Sequence, residues 1–135
     1  ARIIPVKTEF TNAERIKREN LCAHAIEAAE QCRGTFVPAV EELTELGNLL
    51  NKWPDDRGIL FCNELLAGKK IELPKKGIRK WAILIGPEGG FSVSEQTKLN
   101  SNKLIFPIDL GPRILRADTA VVAAMSLWQK KFGDW

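Results

Sequence analysis

The stretch Ile83–Ser92, ILIGPEGGFS, changes abruptly from an aliphatic run to a turn. The run ends at Gly86, and a proline, a glutamate and two adjacent glycines follow it. Ser92 and Glu95 have the spacing of a capping box, so a helix is predicted to begin directly after the glycines. The turn is either an ordinary connection between strand and helix or a loop whose main chain is shaped to contact a ligand.

The composition indicates one soluble globular domain. The 135 residues are 44% hydrophobic and 27% charged, and no apolar run is long enough to span a membrane. The three cysteines form no CxxC pair and there is one histidine, so neither a disulfide framework nor a zinc site is expected. With no secretory signal at the start, these features predict a cytoplasmic protein. The formal charge of +3 is compatible with a polyanionic partner but does not establish one.

Apolar segments with strand character alternate with segments of helical character along the chain. Several of the strand-like segments are unbroken apolar runs, as expected of strands that are covered on both faces. This alternation predicts a single α/β domain, residues 1–135, whose open, mainly parallel sheet carries helices on both faces. The predicted extended segments are residues 1–6, 36–40, 58–64, 81–86 and 103–111, and the predicted helices are residues 11–31, 41–53, a segment after 92 and 118–132.

Two helix starts and one helix face can be predicted in more detail. Thr11 and Glu14 have the T-x-x-E pattern of a second capping box, which would open the first helix. Asp118 is predicted to cap the last helix. The apolar side of that last helix is predicted to consist of Val121, Val122, Met125, Trp128 and Phe132.

Three loops follow apolar strands and are candidates for a ligand site, because ligands bind at the carboxyl ends of strands in such sheets. They are Phe61–Glu64, Gly86–Phe91 and Leu110–Arg116. In the second loop, Glu88 would repel a phosphate, and the chain has neither a P-loop nor a dinucleotide-binding glycine motif. A ligand that is neutral or cationic at the point of contact therefore suits this loop better.

The third loop, LGPRILR, contains a Gly-Pro pair and two arginines, Arg113 and Arg116. An isolated R-x-x-R pattern usually belongs to solvated surface residues. Two loops that are stiffened by proline and follow neighbouring apolar strands favour a different interpretation, in which they form two walls of one pocket.

Three sequence blocks together resemble the ribosomal RNA uracil-N3 methyltransferases of the knotted SPOUT superfamily. The blocks are AIEAAEQCRGTFVPAV (Ala25–Val40), IGPEGGFS (Ile85–Ser92) and LGPRILRADTA (Leu110–Ala120), and the resemblance extends from about Ile3 to Lys130. It implies a SPOUT-type open sheet whose C-terminal segment is threaded into a deep trefoil knot, an exception to the rule against threaded chains. It also implies S-adenosylmethionine as cofactor, a homodimer, and methylation of N3 of a uridine in 16S ribosomal RNA of the small subunit.

The resemblance also implies which residues line the cofactor pocket. Main-chain groups of the loops would contact the adenine, while apolar side chains of the third strand and loop would pack on the purine and ribose. The full set implied for the cofactor is Phe61, Cys62, Ile85, Gly86, Pro87, Glu88, Gly89, Gly90, Ile108, Leu110, Gly111, Ile114, Leu115 and Arg116.

Methylation at uridine N3 requires the loss of the N3 proton, which suggests roles for four charged residues. Arg116 or Arg113 would stabilise the charge that develops on uracil O2 or O4. Glu88 and Asp118 are the carboxylates nearest the motif loops in sequence, and either would accept the proton or hold an arginine in place. Asp118 can equally be a plain helix cap, and the family commonly has glutamate at this position.

Relative to that family, the chain is expected to lack the first strand and helix of the methyltransferase domain and the N-terminal PUA-like RNA-binding barrel. Basic residues in Gly68–Lys80, and Arg15, Lys17 and Arg18 in the first helix, either contact RNA phosphates or are solvated. Trp128 and Trp135 would pack in the core or at a subunit interface. Two other functions stay open: another SPOUT RNA methyltransferase acting on tRNA ribose or another base, and a non-catalytic module for cofactor binding or dimerisation.

Overall fold

The structure, a computed structural model, describes residues 1–12, 16–68 and 78–135. The chain divides into two compact units, residues 1–52 and residues 53–135. Within the described ranges, no helix is both long enough and apolar enough to cross a membrane. All three candidate ligand loops belong to the second unit.

The first unit is built from short parallel strand pairs and two helices. Pro5 divides the predicted N-terminal strand, and the two resulting segments pair with different partners. The elements are β1 (Arg2–Ile3), which pairs with β3 (Ala39–Val40), β2 (Val6–Lys7), which pairs with β4 (Thr44–Glu45), and the helices α1 (Arg18–Gln31) and α2 (Leu46–Asn51).

Both predicted helices of this unit are shorter than expected. α1 begins at Arg18, and Glu14 of the predicted capping box lies outside the described residues. Thr11 Oγ1 accepts a hydrogen bond from Thr8 N at 2.9 Å, so this side chain closes a turn ahead of the helix. The helix predicted over 41–53 is wrong at its start, because β4 pairs with β2 there and leaves α2 only 6 residues long.

The second unit contains a parallel three-stranded sheet and two longer helices. Its elements are β5 (Arg57–Cys62), β6 (Lys80–Leu84), α3 (Val93–Ser101), β7 (Ile105–Ile108) and α4 (Ala117–Phe132), with a short 3-10 turn at Glu64–Leu66. β5 lies at the centre, and β6 and β7 pair with it in parallel on either side. The predicted α/β class with parallel strands is confirmed, and the three predicted strands are present but shorter.

β5 is covered on both faces, as its unbroken apolar sequence predicts. Leu60 is 1% exposed and lies in a cluster with Ala124 of α4, with Trp128 packed against it. Phe61 is fully buried and, because successive strand residues point to opposite faces, lies on the other side of the sheet. There its ring meets that of Phe91 edge to face at a centroid distance of 5.1 Å. α4 therefore covers one face, and the segment that leads into α3 covers the other.

The buried side of α4 matches the predicted one only in part, because Trp128 and Phe132 pack against the core cluster but the other three predicted residues are exposed. Its buried residues are Ala120 and Ala124, whereas Val121, Val122 and Met125 are 40%, 67% and 55% exposed. The two alanines face the sheet, whereas Val121, Val122 and Met125 point away from it. α4 therefore has an exposed apolar strip, consisting of Val121, Val122 and Met125.

Gly58 lies where the side chain of Trp81 comes very close to the backbone of β5. A Cβ atom at Gly58 would lie 2.6 Å from Cζ3 of Trp81. The indole is held in place by stacking on Phe132 and by a hydrogen bond from Nε1 to Ile78 O at 3.1 Å. Gly58→Ala is therefore expected to destabilise the chain by about 1–3 kcal/mol, seen as a lower midpoint of urea unfolding.

Gly47→Ala is the matched control, because a Cβ atom at Gly47 in α2 meets no neighbouring heavy atom within 4 Å. Alanine has a higher helix propensity than glycine, so this variant is expected to unfold at or slightly above the wild-type midpoint. Equal midpoints for Gly58→Ala and the wild type would contradict the packing described for Trp81.

Candidate functional site

A cavity of about 280 Å³ lies where the three strands of the second unit end. Because β5, β6 and β7 are parallel, their carboxyl ends meet at one edge, and the loops that follow them form the walls. The volume is close to the lower end of the range typical of small-molecule sites, roughly 300–1,000 Å³. The sequence-predicted residues that line the cavity are Cys62, Ile85, Gly86, Pro87, Glu88, Gly90, Ile108, Leu110, Gly111, Arg113, Ile114, Leu115 and Arg116.

Three of the predicted site residues do not line the cavity. Phe61 is fully buried and contacts Phe91, which is itself part of the wall. Gly89 is exposed in the turn after β6, and Asp118 is exposed in the first turn of α4. These three residues therefore lie beside the cavity or behind its wall.

The walls also contain residues that the sequence did not identify as site residues. Some of them had a positional signal, because Asn63 and Glu64 belong to the first candidate loop and Asp109 directly precedes the third. Gln96 and Ala120 come from α3 and α4, where no motif marks them. The additional lining residues are Asn63, Glu64, Ala67, Phe91, Gln96, Asp109, Ala117 and Ala120.

The loop after β6 is held in a fixed shape by local hydrogen bonds. Ser92 N donates to Glu95 Oε2 at 2.9 Å and Glu95 N donates to Ser92 Oγ at 3.4 Å, so the predicted capping box is confirmed. Gly90 has φ +70° and donates from its N–H to Pro87 O at 2.9 Å, which closes the turn. A Cβ atom at Gly90 would also collide with the carboxylate of Glu64. This position therefore favours glycine mainly for its backbone conformation, since the exposed Glu64 side chain can move aside.

The two arginines of the third loop are exposed, and one of them contacts a carboxylate. Arg116 Nε lies 3.8 Å from Asp118 Oδ1, and both side chains are more than two-thirds exposed, so this ion pair is weak. The prediction that Asp118 caps α4 is wrong, because the N-cap residue is Arg116, which makes no side-chain cap bond. Asp118 Oδ1 instead accepts a hydrogen bond from Thr119 N at 2.7 Å within the first turn.

The thiol of Cys62 lies in a part of the cavity wall with low polarity, at the end of β5. Burial raises the pKa of Cys62 to about 12 from its ordinary value of 9.0, because desolvation disfavours the thiolate. The side chain is therefore a neutral thiol at physiological pH. It supplies apolar surface to the cavity and cannot act as a nucleophile there.

Charges of both signs line the cavity. Glu64, Glu88 and Asp109 provide carboxylates, and Arg113 and Arg116 provide guanidinium groups. Among the described residues, no group of three or more histidine, cysteine, aspartate and glutamate side chains is arranged to hold a metal ion. The site as described can bind a ligand with apolar and cationic parts, and it can direct arginine donors toward a partly negative group.

The basic segments that were predicted as RNA contacts can be placed only in part. Residues 69–77 and Arg15 lie outside the described residues. Arg18 is paired with Glu42 in the first unit, at 3.4 Å from Nη1 to Oε1, and Lys80 is paired with Asp56 in the second. The prediction of phosphate contacts by these segments stays a prediction.

The chain matches a known protein family over nearly its whole length. A family model described as an RNA methyltransferase domain matches residues 1–129. The sequence is 33% identical to the ribosomal RNA small subunit methyltransferase E of Buchnera aphidicola subsp. Schizaphis graminum, over 98% of this chain and 55% of that protein. It is also 33% identical to the protein of the same name in Bacillus subtilis, over 90% of this chain and 49% of that protein.

Two solved structures resemble this one closely, and both contain S-adenosylmethionine. The first, a methyltransferase from Legionella pneumophila, has a TM-score of 0.84 and 27% identity over 96% of this chain and 55% of that chain. The second, a ribosomal RNA small subunit methyltransferase E from Neisseria gonorrhoeae, has a TM-score of 0.80 and 26% identity over 96% of this chain and 54% of that chain.

The chain spans about half the length of the curated relatives it matches. The family model itself, however, covers all but the last few residues, and both sequence motifs of the cavity lie within the matched range. The chain therefore belongs to the RNA methyltransferase domain family.

Proposed function

We propose that the chain binds S-adenosylmethionine and methylates N3 of a uridine in 16S ribosomal RNA. The observation that carries this proposal is the cavity at the ends of β5, β6 and β7, because both motifs, IGPEGGFS and LGPRILRADTA, contribute to its walls. The bound cofactor in the two structural relatives and the name of the curated relatives support it. Since those relatives are about twice as long, their activity and substrate are proposed for this chain by analogy.

The walls of the cavity suit a cofactor that is partly apolar and partly cationic. Ile108 is buried and Leu110 is half-buried, so they offer apolar surface to a purine and a ribose. Glu64 offers a carboxylate to the sulfonium and ammonium groups. Main-chain groups of the two motif loops would bind the polar edge of the adenine, and the remaining predicted lining residues would complete the site. Phe61 does not line the cavity and would stabilise its wall by packing against Phe91.

When bound, the cofactor supplies an electrophilic methyl group, and the residues of the chain must prepare the uracil. Arg116 lines the cavity and is exposed, so it can donate hydrogen bonds to a uracil oxygen as negative charge develops there, with Arg113 as a second donor. Neither arginine is the base, because a guanidinium keeps its proton. Glu88 is an exposed carboxylate of the wall and would accept the N3 proton. Asp118 would contribute only through its weak, exposed ion pair with Arg116.

We further propose that two copies of the chain form a homodimer through α4. The exposed apolar strip of Val121, Val122 and Met125 supports this, because burial against a second copy would remove it from water. The resemblance to the SPOUT superfamily supports a C-terminal segment threaded into a deep trefoil knot. In this proposal residues 1–135 act as one SPOUT methyltransferase domain in the cytoplasm.

Cofactor binding and methyl transfer test the proposed function separately. Isothermal titration with S-adenosylmethionine is expected to give saturable binding. Small ribosomal subunits that lack the modification are then incubated with the chain and cofactor, and their nucleosides are identified by mass spectrometry. N3-methyluridine is the expected product. Methylation of tRNA or of another base would indicate a different SPOUT methyltransferase, and binding without any transfer would indicate a non-catalytic module.

Arg116→Ala is expected to lower the rate of methyl transfer by about 100-fold or more, because one donor to the developing charge is lost. Cofactor affinity should change far less, since the reacting uracil and not the cofactor receives that hydrogen bond. Initial rates of transfer and the dissociation constant from calorimetry measure the two effects. Arg116→Lys keeps the positive charge and is expected to retain more activity than Arg116→Ala.

Lys98→Ala is the matched control, because it also removes a positive charge but lies on the exposed side of α3, outside the cavity wall. It is expected to transfer methyl groups at the wild-type rate. A folded Arg116→Ala protein that is as active as this control would contradict the electrostatic role of Arg116.

Alkylation of Cys62 is expected to be slow in the folded chain and to depend strongly on pH. A pKa about 3 units above the ordinary value lowers the thiolate fraction at pH 8 by about 1,000-fold. A chain with Cys22→Ser and Cys32→Ser leaves this single thiol, and its reaction with iodoacetamide is followed by mass spectrometry. The rate should rise about tenfold for each pH unit between pH 8 and 11, because only the thiolate reacts.

The same chain unfolded in urea serves as the reference, since its thiol should react at an ordinary rate. S-adenosylhomocysteine is expected to slow the folded reaction further, because Cys62 is part of the cavity wall. Equal rates for the folded and unfolded chains at pH 8 would show that Cys62 is not buried as described.

A further inference from the structure

Asp109 joins two of the three loops that form the cavity. It directly follows β7, and its Oδ1 accepts hydrogen bonds from Gly111 N at 2.9 Å and from Gly68 N at 3.2 Å. Gly68 N also donates to Gly111 O at 3.1 Å. Gly68 follows the 3-10 turn Glu64–Leu66 after β5, whereas Gly111 belongs to the loop after β7. These three hydrogen bonds are called here the Asp109 bridge. Two of them share the Gly68 N–H and connect the segment after β5 to the loop after β7, whereas the bond from Gly111 N lies within the loop after β7.

The bridge depends on a short side chain with an acceptor oxygen. Aspartate and asparagine can accept from the main-chain N–H two residues further on, as Asp109 does from Gly111. Gly111 has φ +115°, a conformation that L side chains rarely adopt, so glycine suits the turn that follows the accepting side chain. An alanine at 109 would leave both N–H groups without the side-chain acceptor, and only the bond between the two glycines would remain.

We propose that Asp109 is a positioning residue for the cofactor: its Oδ1 holds the loop after β5 against the loop after β7 and so sets the width of the cavity. This inference rests on the proposed function, because the ligand concerned is the cofactor named there. The loop after β5 carries Asn63 and Glu64 into the wall, and the loop after β7 carries Leu110 and Ile114. Without the bridge, the two groups of residues would face each other at the correct separation for only part of the time. The apparent affinity for the cofactor would then equal the intrinsic affinity multiplied by the fraction of time spent at the correct separation.

A second explanation for an acidic residue at this place is charge. Asp109 lines the cavity together with Glu64 and Glu88, and three carboxylates would attract a cationic ligand without any need for a bridge. The two explanations differ in what they require of residue 109. A bridge requires an acceptor oxygen, which asparagine also has, whereas attraction requires a negative charge, which asparagine lacks.

Two variants and two ligands separate these explanations. Asp109→Ala and Asp109→Asn are titrated with S-adenosylmethionine, which carries a sulfonium, and with S-adenosylhomocysteine, which has a neutral sulfur. The bridge predicts that Asp109→Ala binds both ligands about 10-fold more weakly, because loop ordering and not ligand charge is lost. It also predicts that Asp109→Asn binds both ligands within about twofold of the wild type, because the acceptor is retained. Urea midpoints establish that each variant is folded.

Either of two results would overturn the proposal. One is an Asp109→Ala protein that is folded and binds both ligands as tightly as the wild type. The other is an Asp109→Asn protein that binds as weakly as Asp109→Ala does. If the loss of affinity is confined to S-adenosylmethionine, the role of Asp109 is its negative charge. A wild-type chain that binds neither ligand would instead contradict the proposed function.

Amide hydrogen exchange in the wild-type chain tests the bridge without any variant or ligand. The N–H groups of Gly68 and Gly111 are expected to exchange slowly, because both are hydrogen-bonded, although Gly68 itself is exposed. Gly89, which is an exposed loop glycine outside the bridge, is the internal comparison. Exchange at Gly68 and Gly111 as fast as at Gly89 would overturn the proposal, whether or not the chain binds the cofactor.

Discussion

The parallel pairing of β5 with a neighbour on each side is the constraint on which the candidate site depends. Ile59 pairs with Ala82 of β6 and with Ile105 of β7, so the three strands are in register. Because all three run in the same direction, their carboxyl ends lie at one edge and their loops converge there. The two sequence motifs are separated along the chain, and this pairing is what brings them to the same cavity. Burial of β5 on both faces stabilises the arrangement, with Leu60 against α4 and Phe61 against Phe91.

The cavity combines an apolar wall with charged groups of both signs. Burial raises the pKa of Cys62 to about 12, because the wall at the end of β5 desolvates the thiolate. Glu64 and Glu88, by contrast, are exposed and keep their carboxylates accessible. In the proposed function, different groups have different roles. Apolar and main-chain groups would hold the cofactor, and Arg116 would stabilise charge on the uracil.

Several features of the fold and of the site could be predicted from sequence because the interactions that produce them are local. The capping box of Ser92 and Glu95 involves residues three apart, and both of its hydrogen bonds are present. The apolar run at the centre of β5 predicted a strand buried on both faces, and Leu60 and Phe61 are almost completely buried. Most of the lining residues could also be predicted, because an apolar run that ends in a turn with glycine and proline marks a loop at the carboxyl end of a strand. Family resemblance then supplied the ligand that such loops would hold.

What the sequence by itself determined is thus the α/β class, the positions of the main strands and the residues of the two motif loops, since these follow from periodicity and local hydrogen bonds. Tertiary structure decided the rest. Residues 44–45 pair as a strand because β2 lies beside them, and α4 buries Ala124 and leaves Val122 exposed because of where the sheet lies. The Asp109 bridge is the clearest case, because its second donor, Gly68, is 41 residues away along the chain. No local pattern encodes a contact over that distance, which exists only after parallel strands have placed two loops side by side.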